Sequence, residues 1–139
     1  MTESDVIAKY LVKLAGGNWL YPSDPLTQAK IDEAMVDVAS LQWLYFPMTI
    51  IFNKTCETAF NDVEKSMENL VKLRFSDGNT FLVDDCMSMA DILLALFVTM
   101  CTVIGEYPID EKFPALGKGL KVTVFASIQV QWVSNLWAS

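Results

Sequence analysis

A chain of 139 residues that is 53% hydrophobic and 19% charged can bury the core of one domain and is not a disordered segment. Its 10 basic and 17 acidic residues leave a net charge of −7, which excludes nonspecific nucleic-acid binding through a basic face. It contains no His, which also excludes His-based metal sites and Ser-His or Cys-His nucleophile pairs.

Glu3 to Leu14 reads as a short helix, with Val6, Ile7, Tyr10, Leu11 and Leu14 on one face. Gly16-Gly17 stops it, and Asn18 to Pro25 reads as a turn. Asp24 is the predicted N-cap of the next helix, with Pro25 at its first position. Ile31, Met35, Val38, Leu41 and Gln42 then predict a long amphipathic helix. Pro47 should kink or end it, with Thr49 to Phe52 continuing beyond the kink. A further helix is predicted from about Cys56 to Leu73, with Phe60, Val63, Met67, Leu70 and Val71 inward. Its charged residues, among them Glu64, Glu68, Lys65 and Lys72, form the wet face. Asp77-Gly78-Asn79 is a turn, and Met89 to Ile104 a buried helix. Gly105, Pro108 and Pro114 mark a loop, before two short helices over Leu116–Phe125 and Ile128–Trp137. No strand alternation or internal repeat interrupts this pattern, so the expected class is all-α.

The apolar run from Ile92 to Gly105 holds Thr99 and Thr102 and is shorter than the roughly 20 residues that span a bilayer. Thr2-Glu3-Ser4-Asp5 after Met1 lacks the basic region of a signal peptide. Three cysteines, Cys56, Cys86 and Cys101, form no C-x-x-C pair. They read as free thiols in a reducing compartment, each a small buried hydrophobe. Asp84-Asp85 with Asp77 reads as a solvated turn, too poor in ligands for a metal.

The sharpest local signal is Ser88-Met89-Ala90-Asp91, which opens the apolar run Ile92 to Val98. The Ser88 hydroxyl can accept from the Asp91 backbone N–H while the Asp91 carboxylate reaches back to the Ser88 N–H. Met87 and Ile92 are spaced for the hydrophobic staple that accompanies such a capping box. A buried helix needs this device because its first N–H groups have no water to bond.

The phrase Phe81-Leu82-Val83-Asp84-Asp85-Cys86-Met87-Ser88-Met89-Ala90-Asp91-Ile92 resembles the one that opens the central buried helix in the C-terminal domain of glutathione transferases. Ser88 stands for the commoner Thr and Asp84 for the usual Gly. Leu20-Tyr21-Pro22, Ala29-Lys30-Ile31-Asp32 and Phe113-Pro114-Ala115-Leu116 are similar to further family motifs, although Gly119 stands where the family often has Trp. Glu3-Ser4-Asp5-Val6-Ile7-Ala8-Lys9-Tyr10-Leu11 resembles the last helix of the family's thioredoxin-like domain. The resemblance implies a helical bundle around a central buried helix, with residues 1–15 as that last helix, residues 16–139 as the helical domain and the thioredoxin-like domain absent.

For sites, the resemblance implies that Glu3 and Ser4 are a remnant of the glutathione site; capping preference alone reads Ser4 as an N-cap. Tyr45 and Phe46, in the aromatic cluster Trp43 to Phe52, correspond to the helix lining the pocket for hydrophobic substrates. They read equally as core. Trp132 and Trp137 read as interface anchors or as packing for the last helix. Ser88 and Asp91 are structural. The family's thiol-activating residue and cis-Pro loop lie upstream of the match, so no catalytic residue is expected. The expected function is a non-catalytic protein-interaction module. Helical domains of this family serve so in the elongation-factor gamma subunit and in aminoacyl-tRNA synthetase complexes. The alternative is a truncated transferase, conjugating glutathione to hydrophobic electrophiles once an N-terminal domain completes it. Cofactors and metals are not expected, with glutathione the one candidate ligand. The expected setting is cytoplasmic, with a protein partner or homodimer and neither direct nucleic-acid nor membrane contact.

Overall fold

A computed structural model describes residues 3–50, 57–75, 78–84, 86–104 and 109–116. Within these ranges the side chains of 43–50, 57–60, 103–104 and 110 are outside the description. The elements are α1 (Ser4–Leu14), α2 (Pro25–Ile50), α3 (Glu57–Arg74), α4 (Met89–Thr99) and α5 (Ile109–Lys112), with a π-helical turn at Met100–Ile104 extending α4. The class is all-α, and no strand occurs among the described residues.

The helix ends form where the local chemistry demands. After α1, Gly16 takes a left-handed φ of 71°, and its N–H bonds the Lys13 carbonyl at 3.2 Å. The Gly17 N–H bonds the Val12 carbonyl at 2.8 Å, completing a Schellman closure. A Cβ on Gly17 would sit 3.1 Å from that carbonyl oxygen, so this glycine permits a close approach. At α2 the Asp24 carboxylate accepts from the Thr27 N–H and hydroxyl, each at 2.8 Å, with Pro25 in the first turn as expected.

α2 is the organising element and packs against both α3 and α4. Ile31, Ala34, Met35, Val38 and Leu41 recur at helical spacing and are all buried. Val63, Met67 and Leu70 of α3 are buried opposite charged residues, as their spacing predicts. Arg74, at the end of α3, donates to Asp37 Oδ2 of α2 at 2.8 Å and lies 3.3 Å from Glu33 Oε2. That cation neutralises two acids on successive turns of α2, which would otherwise repel.

α2 runs on past Pro47 to Ile50, in line with the continuation expected beyond that residue. Pro47 removes one backbone bond, and a helix already anchored by its buried face tolerates that loss. Three expectations meet a different structure. The α4 helix turns π-helical at Met100 rather than staying regular to Ile104. Here the Thr99 and Thr102 hydroxyls donate to the Ala95 and Val98 carbonyls, a competition with the backbone ladder that deforms helices. Residues 109–112 were expected in a loop but form α5. Ile109, Phe113 and Leu116 reach the core from this segment. Cys86 is exposed, not buried, because it lies in the loop before α4; Cys101 is buried. The two predicted C-terminal helices lie outside the described residues, apart from buried Leu116, as do Cys56, Asp77 and Asp85.

Candidate functional site

The head of α4 is built from three stretches of chain. Asp91 Oδ2 accepts from the Ser88 N–H and the Ser88 hydroxyl, each at 2.8 Å, and Oδ1 accepts from the Leu82 N–H at 2.8 Å. The Ser88 oxygen faces the Asp91 N–H, so the box is reciprocal. The Met89 N–H bonds the Leu20 carbonyl at 3.1 Å and ties the turn after α1 to the same place. Asp84, just before, takes φ 51°, the left-handed backbone that a glycine would adopt at no steric cost. Its carboxylate is held by Lys30 of α2 at 2.9 Å. Burial pushes the Asp91 carboxyl above the usual carboxylate range, and the bonds from Leu82 and Ser88 pull the other way without cancelling the shift. Both Ser88 and Asp91 are buried, and their hydrogen bonds join the start of α4 to the Leu82 backbone.

A second constellation fixes α1 to the body. The buried Tyr21 hydroxyl donates to the Asp32 carboxylate, 2.9 Å from Oδ1 and 3.1 Å from Oδ2. Lys9 Nζ of α1 lies 2.8 Å from Asp32 Oδ1. Lys9 and Lys13 also sit over the Tyr21 ring, 5.5 Å and 5.2 Å from its centroid. Burial, then the Asp32 carboxylate, pushes the Tyr21 phenol up to about 12. Its proton is directed at the Asp32 carboxylate. Tyr21→Phe should cost about 1 kcal/mol at neutral pH by urea denaturation. The wild-type advantage is present below the ordinary tyrosine pKa and is lost as pH rises through the folded value of about 12. An advantage that persists unchanged at the alkaline end would refute this assignment.

With Lys9 facing inward, α1 presents its strongest apolar face to solvent. Val6, Tyr10 and Leu14 follow each other at i, i+4 and i+8 and are 50%, 50% and 69% exposed, with Leu11 beside them at 54%. No residue of α1 is buried; it meets the core through the smaller Ala8 and Val12. Of the residues that the sequence pattern groups on one face, Val6, Tyr10, Leu11 and Leu14 are exposed and Ile7 is half-buried. Trp19, just past the glycines, and Leu26 at the start of α2 are exposed as well.

Of the residues singled out from sequence, Ser88 and Asp91 meet as expected. Glu3 and Ser4 are neighbours at the exposed start of α1. Glu3, not Ser4, is the N-cap residue, and no side chain caps the helix there. The chain enters the helix one residue earlier than capping preference places it. Tyr45 and Phe46 are helical residues of α2 whose side chains lie outside the description. The Lys9–Tyr21–Asp32 clamp was not anticipated, because its members are joined only by the turn between α1 and α2. Among the described residues, no cluster of His, Cys, Asp or Glu is arranged to hold a metal, and no helix is long and apolar enough to cross a membrane. No family model and no curated protein matches the chain.

Proposed function

We propose that this chain is a non-catalytic protein-interaction module of the glutathione transferase C-terminal type, working in assemblies such as those of elongation factors or aminoacyl-tRNA synthetases. The observation that carries the reading is the outward apolar face of α1, held in a fixed pose by the Lys9–Tyr21–Asp32 clamp. A contiguous apolar strip displayed on a rigid mount is what a protein interface requires. The bundle type is supported by the capping box at the head of α4 and by the left-handed backbone of Asp84, where the motif it resembles has glycine. Two measurements test the reading together. The chain should give no thiol conjugation above the uncatalysed rate with glutathione and a generic electrophile, and should not be retained on immobilised glutathione. Purified elongation-factor or synthetase subunits should bind it with micromolar or better affinity. Turnover with glutathione, or no binding to any such subunit, would overturn the proposal.

A further inference from the structure

We infer that α1 is a strap that opens from the body and closes on it as one unit, latched by charge at Lys9 and jointed between Gly17 and Leu20, while α2, α3 and α4 stay folded. The inference goes beyond the proposed function and does not rest on it, but it bears on the same surface. The outward strip of α1 holds one pose only while the latch is closed.

Burial does not seat this helix. No residue of α1 is buried, whereas α2 buries Ile31, Ala34, Met35, Val38 and Leu41. Toward the core α1 offers Ala8 and Val12, both half-buried. Among the described residues, the polar contacts of its side chains with the body converge on one place. Lys9 pairs with Asp32, and Lys9 and Lys13, one turn apart, both stand over the Tyr21 ring. The Lys9 side chain is 27% exposed and that of Asp32 44%, so counterions reach the pair. Partly exposed contacts of this kind stabilise far less than a buried apolar face does.

The joint is set by where the chain is tied. The Gly16 and Gly17 N–H groups bond the Lys13 and Val12 carbonyls, so the closing turn travels with α1. The Leu20 carbonyl accepts from the Met89 N–H at the head of α4 and stays with the body. Between them lie Asn18 and exposed Trp19, and one turn bond, from the Leu20 N–H to the Gly17 carbonyl at 3.0 Å, crosses the joint. The seat outlasts the opening, because the Tyr21 hydroxyl bonds Asp32 without help from α1. A segment with so little buried surface opens well below the free energy of global unfolding.

Amide hydrogen exchange of the whole chain reads the opening residue by residue. The amides from Ala8 to Leu14 should be protected, yet exchange at least about a hundredfold faster than those of α2 from Ile31 to Leu41. Urea below the unfolding transition should speed α2 exchange and leave α1 exchange almost unchanged, because opening the strap exposes little surface. Raising sodium chloride from about 0.05 to about 1 M, which shortens the screening length to about 3 Å, should lower α1 protection about fivefold. A short unstructured peptide in the same salt supplies the reference rate. Lys9→Met keeps the stem and removes the charge. It should lower α1 protection about tenfold in low salt and remove most of the salt effect, whereas Lys9→Arg should retain both. Exchange of α1 and α2 at one rate with one urea dependence overturns the inference, because α1 then unfolds only with the body. An α1 already unprotected in low salt overturns it by showing that the strap has no closed state. Protection of α1 that ignores both salt and Lys9→Met overturns it as well, since charge is then not the latch. The glutathione and subunit-binding measurements do not read this exchange, so the inference and the proposed function can fail separately.

Discussion

Asp91→Ala should lower the unfolding free energy by about 3 kcal/mol, among the larger effects a single substitution in this chain can have. The residue is buried, and its carboxylate accepts from the Leu82 N–H, the Ser88 N–H and the Ser88 hydroxyl. Alanine strands two backbone donors where water is excluded, each at a cost of about 1–3 kcal/mol, and removes the cap. Ser88→Ala should cost only about 1 kcal/mol, because the Asp91 carboxylate still receives the Ser88 N–H. Asp91→Asn falls between, since an amide keeps the shape but turns an N–H donor toward one of the two backbone donors. Urea denaturation followed by helical circular dichroism measures all three. Equal midpoints for wild type and Asp91→Ala would show that the cap is not what holds α4.

The pH dependence of the same residue has a definite sign. Asp91 holds its proton more tightly folded than unfolded, because burial outweighs the bonds to its charged form. The part of its contribution that comes from this bound proton is full below the usual carboxylate pKa and is lost as pH rises through the raised folded value, while the bonds it accepts remain. The stability difference between wild type and Asp91→Asn should therefore fall as pH rises across that window and stay level above it. Asp24 behaves oppositely. The Thr27 N–H holds its carboxyl below the usual range, so its contribution is present above that range and is lost as pH falls. Asp24→Asn should give a difference curve of the reverse slope.

The parts of this molecule legible in the sequence are those set by neighbours a few residues apart. Ser88 and Asp91 lie three positions apart, and Asp24 and Pro25 are adjacent; these two caps rest on local chemistry and stand as the sequence implies, whereas at α1 the N-cap is Glu3 and not Ser4. Ile31, Met35, Val38 and Leu41 were read from a helical period that α2 keeps. What failed depends on distant partners. Periodicity shows that Val6, Tyr10 and Leu14 share a face but carries no information on which way the face turns. That was decided by Lys9, which finds Asp32 across the turn between α1 and α2, and by Ala8 and Val12, which fill the inner side. α5 was missed because Pro108 and Pro114 bracket a segment too short for a period to show. Cys86 was misplaced because burial tendency is a property of cysteine in general, and this one follows a tight turn at the surface.

Phe97→Ala should destabilise the fold by about 3–5 kcal/mol, whereas Leu96→Ala, one residue away on the same helix, should cost less than about 1 kcal/mol. Phe97 is 1% exposed and belongs to the core shared by α2, α3 and α4; Leu96 is 53% exposed. Helix propensity cannot account for the contrast, because alanine is the best helix former at either position. The expected difference comes from the cavity that a lost phenyl ring leaves among close-packed neighbours. Buried alanines in both helices, Ala34 of α2 and Ala90 of α4, allow a close approach and little freedom to collapse into that space. The comparison also tests how far α4 is enclosed. An apolar run from Ile92 to Val98 suggests a rod covered on every side, yet Ile92 and Leu93 are half-buried and Leu96 is open. A fully enclosed rod would make both substitutions cost several kcal/mol, and thermal or urea unfolding of the two variants separates the cases. Comparable losses at 96 and 97 would mean that α4 is covered on its Leu96 side too, against the exposure described here.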